Sequence, residues 1–134
     1  MGLNIVKDSI DLGIVTTNRD EMLAFYNEVL GLEVEGVIDM PTGAQMTRLK
    51  CGTTVIKLMV NPKAPPAANP PGGIGGGTGM RYFTISVDNL DAATEECAAA
   101  GRKVVVKPNE IRPGVKISII EDPDGNWVEL LQMG

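Results

Sequence analysis

Two stretches of the chain alternate residue type with the period of a half-buried strand. In the first, Ile10, Leu12 and Ile14 alternate with Asp11, Gly13 and Val15; in the second, Phe83, Ile85 and Val87 alternate with Tyr82, Thr84 and Ser86. A helix is expected after each. Asn18 with Glu21 forms a capping-box pattern, Met22, Phe25, Tyr26 and Val29 follow at core-facing helical spacing, and Gly31 supplies a C-terminal stop. In the second stretch Asp88 and Asp91 can cap a helix that runs to Ala100 and ends at Gly101. Leu32 and Val34 alternating with Glu33 and Glu35 predict a further strand, and Gln45–Lys50 and Thr54–Val60 flank Cys51-Gly52 as a hairpin. Val104 and Val106, Val115–Ile120 and Trp127–Gln132 predict the matching strands of the second half. Asp122-Pro123-Asp124-Gly125 fits the tight turn before the last of them.

The two halves therefore read as repeats of one strand–helix–three-strand unit. Asp11 falls on Tyr82, Asn18 on Asn89, Gly31 on Gly101 and Lys57 on Glu129, at an offset of about 70 residues. The expected organisation is one α+β domain, with module one at about 8–60 and module two at about 80–133. Between them, residues 61–79 carry Pro62, Pro65, Pro66, Pro70 and Pro71 and then a run of glycines, a composition that reads as a linker rather than packed structure. The glycines lack the lysine and the following helix of a phosphate-binding loop.

Composition narrows the function classes. The 134 residues, 43% apolar and 22% charged, are those of an ordinary globular domain. A net charge of −5 argues against nucleic acid or an anionic membrane as partner and suits cationic ligands. With no apolar run of membrane-span length and no leader pattern in residues 1–8, a cytoplasmic protein is expected. Cys51 and Cys97 lack metal-ligand spacing and read as a reduced pair. Histidine is absent altogether, which removes the commonest general base and the commonest transition-metal ligand.

Several stretches together resemble the vicinal oxygen chelate superfamily of glyoxalases, bleomycin-resistance proteins and extradiol dioxygenases. They are Asp11-Leu-Gly-Ile-Val, Phe25-Tyr26 with Leu30-Gly31-Leu32, Thr54-Thr-Val-Ile-Lys-Leu, Tyr82-Phe-Thr-Ile-Ser-Val-Asp-Asn and Asp122-Pro-Asp-Gly-Asn-Trp-Val-Glu-Leu. The resemblance implies two βαβββ modules whose sheets curl into a cup, with four cup-facing positions, usually His, Glu, His and Glu, holding a divalent metal. Those positions map onto Asp11, Lys57, Tyr82 and Glu129, so only Glu129 keeps the family's residue type. An ammonium at the second position opposes a cation there. Neither a metal nor another cofactor is expected, unless Asp11 and Glu129 hold a hard cation.

Strand parity extends the mapping. Asp11 brings Gly13 and Val15 to the cup face, Lys57 brings Val55 and Met59, Tyr82 brings Met80, Thr84 and Ser86, and Glu129 brings Trp127 and Leu131. Ile10, Leu12 and Ile14 and their counterparts should then lie under the helices. Lys57, Glu129, Tyr82 and Asp11 are the candidate catalytic residues. Met59, Thr84, Ser86, Trp127 and Leu131, with Arg112 from the Pro108–Gly114 loop, are the candidate ligand contacts. Each has a plainer reading: Trp127 and Met59 as packing, Lys57 as a structural counter-ion, Tyr82 as space filling and Arg112 as a solvated loop residue. Such a lining suits a small amphiphilic or aromatic molecule. The protein either sequesters it or acts on it as a metal-free isomerase or lyase. Apolar surface on the open cup predicts a homodimer.

Overall fold

In the computed structural model, which describes residues 2–134, the two alternating stretches become β1 (Leu12–Val15) and β5 (Tyr82–Ser86). The intervening strands are β2 (Glu33–Asp39), β3 (Gln45–Cys51) and β4 (Thr54–Val60), and those that follow are β6 (Val104–Arg112), β7 (Val115–Glu121) and β8 (Trp127–Met133). They form two four-stranded mixed sheets, ordered β1-β4-β3-β2 and β5-β8-β7-β6. In each sheet the first strand pairs in parallel with the fourth and the other pairs are antiparallel. With one helical stretch per sheet, this is the expected α+β architecture. The chain divides into two compact units, 2–66 and Ala67–Gly134.

In the first unit the helix after β1 changes pitch. α1 (Arg19–Leu23) passes directly into a π-helical stretch, Ala24–Val29, whose last turn is closed by Leu30 N–H to Phe25 O at 2.9 Å. Met22, Phe25 and Tyr26 are buried, with the two aromatic rings edge to face at 4.9 Å. Leu49, Ile56 and Leu58 on β3 and β4 join them in the core. The Asn18–Glu21 capping box does not form: Asn18 is the N-cap but makes no side-chain cap bond, and its own N–H donates to Thr16 Oγ1 at 2.9 Å. Ile10 is 77% exposed, because the strand begins only at Leu12 and the chain before it lies outside the sheet.

In the second unit α2 (Leu90–Ala99) starts at Asn89, again without a side-chain cap, and ends at Gly101 (φ 82°). Leu90 and Cys97 join Ile120, Val128 and Leu130 in the core, and Thr94 Oγ1 meets Ser118 Oγ at 2.8 Å inside it. The turn before β8 is built as expected. Buried Asp122 accepts from the N–H groups of Asp124 and Asn126 and from the Asn126 amide, so one carboxylate organises the whole turn.

The expectation that residues 61–79 lack packed structure is corrected for the later part of that segment, which belongs to the second unit. Arg81 gathers it, donating from Nε to Gly73 O (2.7 Å), from Nη1 to Asn69 Oδ1 (3.1 Å) and from Nη2 to Pro70 O (2.6 Å). A short 3-10 turn, Gly73–Gly75, results. Gly73 is buried against Trp127, where a Cβ would stand 2.0 Å from Cδ2. Glycine here serves close approach rather than flexibility.

Candidate functional site

The predicted site residues fall into two groups, one on each unit. On the first, Lys57 lies on the half-buried face of β4 and its Nζ is 3.6 Å from Asp11 Oδ2. Asp11 precedes β1, and its Oδ1 accepts from the backbone N–H of Val55 at 3.1 Å and from Lys7 Nζ at 2.7 Å. The Val55 bond puts a carboxylate where the next rung of the β1–β4 ladder would otherwise run. The Lys7 hydrogen bond and the Val55 N–H, with the charges of Lys7 and Lys57 behind them, hold the Asp11 carboxyl at about 2 instead of its ordinary 3.8. Met59 lies two residues beyond Lys57 on the same face, opposite Met46.

On the second unit, Thr84 Oγ1 donates to Glu129 Oε1 at 2.7 Å, in keeping with their direct register across β5 and β8. Tyr82 is half exposed and stands opposite Trp127. The indole of Trp127 is covered by Gly73, and its buried Nε1 has no hydrogen-bond partner among the described residues. Ser86 and Leu131 line a shallow open depression of about 520 Å³ at the ends of β5 and β8, with Val87, Asp88, Asn89 and Met133. Burial follows the predicted parity on β5, where Phe83 and Ile85 are more covered than Tyr82, Thr84 and Ser86.

Arg112 is not in a loop. β6 extends through it to the hairpin turn, so it sits exposed at the tip of the sheet edge opposite β5, with Val115 as its partner. The register irregularities along β6 and the Pro108 within it disguise this strand in the sequence.

Three residues escaped the sequence reading. Lys7 carries no pattern that links it to Asp11. Arg81 is flanked by the segment read as linker. Arg48 is directly opposite Lys57 on β3 and gives its Nε to Glu35 Oε1 at 3.0 Å. The hairpin of Gln45–Lys50 and Thr54–Val60 is legible in the sequence, but only the β3–β4 register reveals that Arg48 and Lys57 are neighbours.

Residues 9–130 match the profile of the Glyoxalase/Bleomycin resistance protein/Dioxygenase superfamily. CFP32 of Mycobacterium tuberculosis, provisionally named a glyoxylase, is 27% identical over 119 residues, covering 89% of this chain and 41% of CFP32. The chain thus spans about two fifths of that relative's length. A glyoxalase family protein from Bacillus cereus aligns over 99% of this chain and 98% of its own with a TM-score of 0.81 and 17% identity. TnmS3, an antibiotic binding protein from a Streptomyces species, aligns over 98% of this chain and 100% of its own with a TM-score of 0.70 and 17% identity. At such identities the two structures establish the fold alone.

Proposed function

We propose a function from one premise: the chain belongs to the glyoxalase/bleomycin resistance protein/dioxygenase superfamily. On that premise we infer that it binds a small amphiphilic or aromatic molecule on the open sheet faces of its modules, without a transition metal. The observation that carries the metal-free reading is the state of Asp11 and Lys57. Asp11 is already engaged by two ammonium groups and a backbone N–H, and Lys57 brings a positive charge to a position where the family resemblance implies a carboxylate ligand. On the second unit Glu129 accepts from Thr84, and Tyr82 offers a phenol where the resemblance implies an imidazole. This donor set does not fit a transition metal, which needs neutral nitrogen or anionic ligands around an open position.

Elemental analysis after mild purification tests the claim. Less than a tenth of an equivalent of zinc, iron, nickel or manganese per chain is the expected result, and one equivalent overturns it. Lys57→Glu removes the opposing charge, so weak Mn²⁺ binding by calorimetry is expected in that variant and none in the native protein. No binding in either would show that the charge of Lys57 is not what excludes a cation.

A metal-free isomerase or lyase is the second reading. The glyoxylase name of the mycobacterial relative favours catalysis, and Lys57, ion-paired with Asp11 at 3.6 Å but making no hydrogen bond among the described residues, is the candidate group for doing it without a metal. Its candidate groups are Lys57, Asp11, Tyr82 and Glu129. Once a ligand is found, product analysis separates the two readings: an unchanged ligand means sequestration, a converted one catalysis.

A further inference from the structure

The first sheet carries a charge arrangement that its fold does not require. Register places Gly13, Lys57, Arg48 and Gly36 in one row across β1, β4, β3 and β2. Two cations thus stand directly opposite each other on neighbouring strands, a destabilising arrangement when nothing lies between them. They are flanked on both sides by glycines at which an added Cβ would meet nothing within 4 Å. The next row on the same face is Val15, Met59, Met46 and Ile38, wholly apolar, with Val15 and Ile38 exposed. The residues between these rows, Ile14, Leu58 and Thr47, point the other way, and Leu58 and Thr47 are fully buried.

Arg48 uses Nε on Glu35, and no other hydrogen bond among the described residues ties its two Nη groups. Lys57 is ion-paired with Asp11 at 3.6 Å, too long for a hydrogen bond, so its N–H groups also make no hydrogen bond among the described residues. Both side chains are about three-quarters covered, at 25% and 29% exposure, their stems lying along the sheet face. With the adjacent row Val55, Lys50 and Glu33 included, four cations, Lys7, Lys57, Arg48 and Lys50, stand against three carboxylates, Asp11, Glu35 and Glu33. The local excess is one positive charge.

The geometry points to a monoanion site. We propose that the ligand class of this protein is a small apolar carboxylate, its oxygens held between Arg48 and Lys57 and its body laid along Val15, Met59, Met46 and Ile38. This rests on the small-molecule reading above and gives that ligand a sign. It reverses the expectation from the net charge of −5, because the local field at a recognition face outweighs the average over the surface. Residues two apart on a strand are about 7 Å apart and four strands span about 14 Å, so a bicyclic aromatic acid matches the two rows in size. Arg48 supplies a planar fork to a carboxylate and Lys57 a point charge, which makes Arg48 a determinant of specificity as well as affinity.

Calorimetric titration with 2-naphthoate, neutral 2-naphthamide and cationic 2-naphthylmethylamine tests the proposal on the intact chain. Naphthoate should bind at least about tenfold more tightly than the amide, and the amine weakest of the three. Arg48→Gln should remove most of the naphthoate preference and leave amide binding unchanged. Raising the salt concentration on the native protein should weaken naphthoate alone, a readout that needs no variant. Equal affinity for acid and amide, or a preference for the amine, overturns the monoanion site while leaving the small-molecule reading intact. Failure of all three probes at millimolar concentration overturns both.

Discussion

Replacing Gly73 with Ala tests whether the glycine-rich segment is built onto the second sheet. Gly73 has φ 53°, in the left-handed region, where a side chain costs about 1–2 kcal/mol. Its Cβ would also stand 2.0, 2.1 and 2.4 Å from Cδ2, Cε2 and Cε3 of Trp127, a collision with the fused edge of a rigid ring. Relieving that overlap costs about 1–3 kcal/mol if the segment stays seated. The alternative is for the segment to lift away and lose its carbonyl contacts to Arg81, which limits the penalty. The expected destabilisation is about 2–3 kcal/mol, or roughly 8–12 °C in melting temperature for a chain of this size. Trp127 is the only tryptophan, so fluorescence reports the contact directly. Gly73→Ala should red-shift the emission and raise its quenching by acrylamide. Gly75→Ala is the control from the same turn, because its added methyl meets nothing and its φ is not positive; it should change stability by less than about 0.5 kcal/mol. If the two variants behave alike, the segment is not seated on Trp127 and the close-approach argument is wrong.

Three further outcomes are expected. The Asp11 carboxyl is depressed in the folded protein, so the stability it contributes is present above the unfolded value near 3.8 and is lost as pH falls through about 2; Lys7→Met should raise its pKa, read by NMR titration, and an unshifted value would mean the 2.7 Å contact does not persist. Thr94→Val strips the buried Ser118 hydroxyl of its 2.8 Å partner and should cost about 1–3 kcal/mol in urea unfolding. Thr94→Val with Ser118→Ala should cost less than the sum of the single changes, and additivity would mean the hydroxyls are independent. A homodimer is expected from the exposed apolar side chains Ile5, Val6 and Ile10, and sedimentation as a monomer at micromolar concentration would refute it.

Much of the fold was legible in the sequence because strands covered on one face impose a period of two. Phe83 and Ile85 against Tyr82, Thr84 and Ser86 fix the facing of β5 without any structure. Gly31 and Gly101 mark both helix ends for the same kind of local reason, a left-handed backbone that side chains avoid. What was not legible depends on contacts between segments far apart in the chain. The π-helical stretch has the apolar spacing of an ordinary helix, and Asn18 matches a capping box whose bonds the local geometry does not make. The segment around Gly73 resembles a flexible linker, since a glycine required by a neighbouring indole and one required by mobility are the same letter. Arg48 illustrates the point for the site. A charged residue in a strand reads as solvated until the β3–β4 register sets it beside Lys57.

The central claim is that a small molecule binds here without a metal. Its most direct test is a calorimetric titration with 2-naphthoate on the purified protein, repeated after exhaustive dialysis against EDTA. Unchanged affinity and stoichiometry after chelation are predicted. Binding that disappears on chelation and returns with added zinc, nickel or manganese would contradict the account.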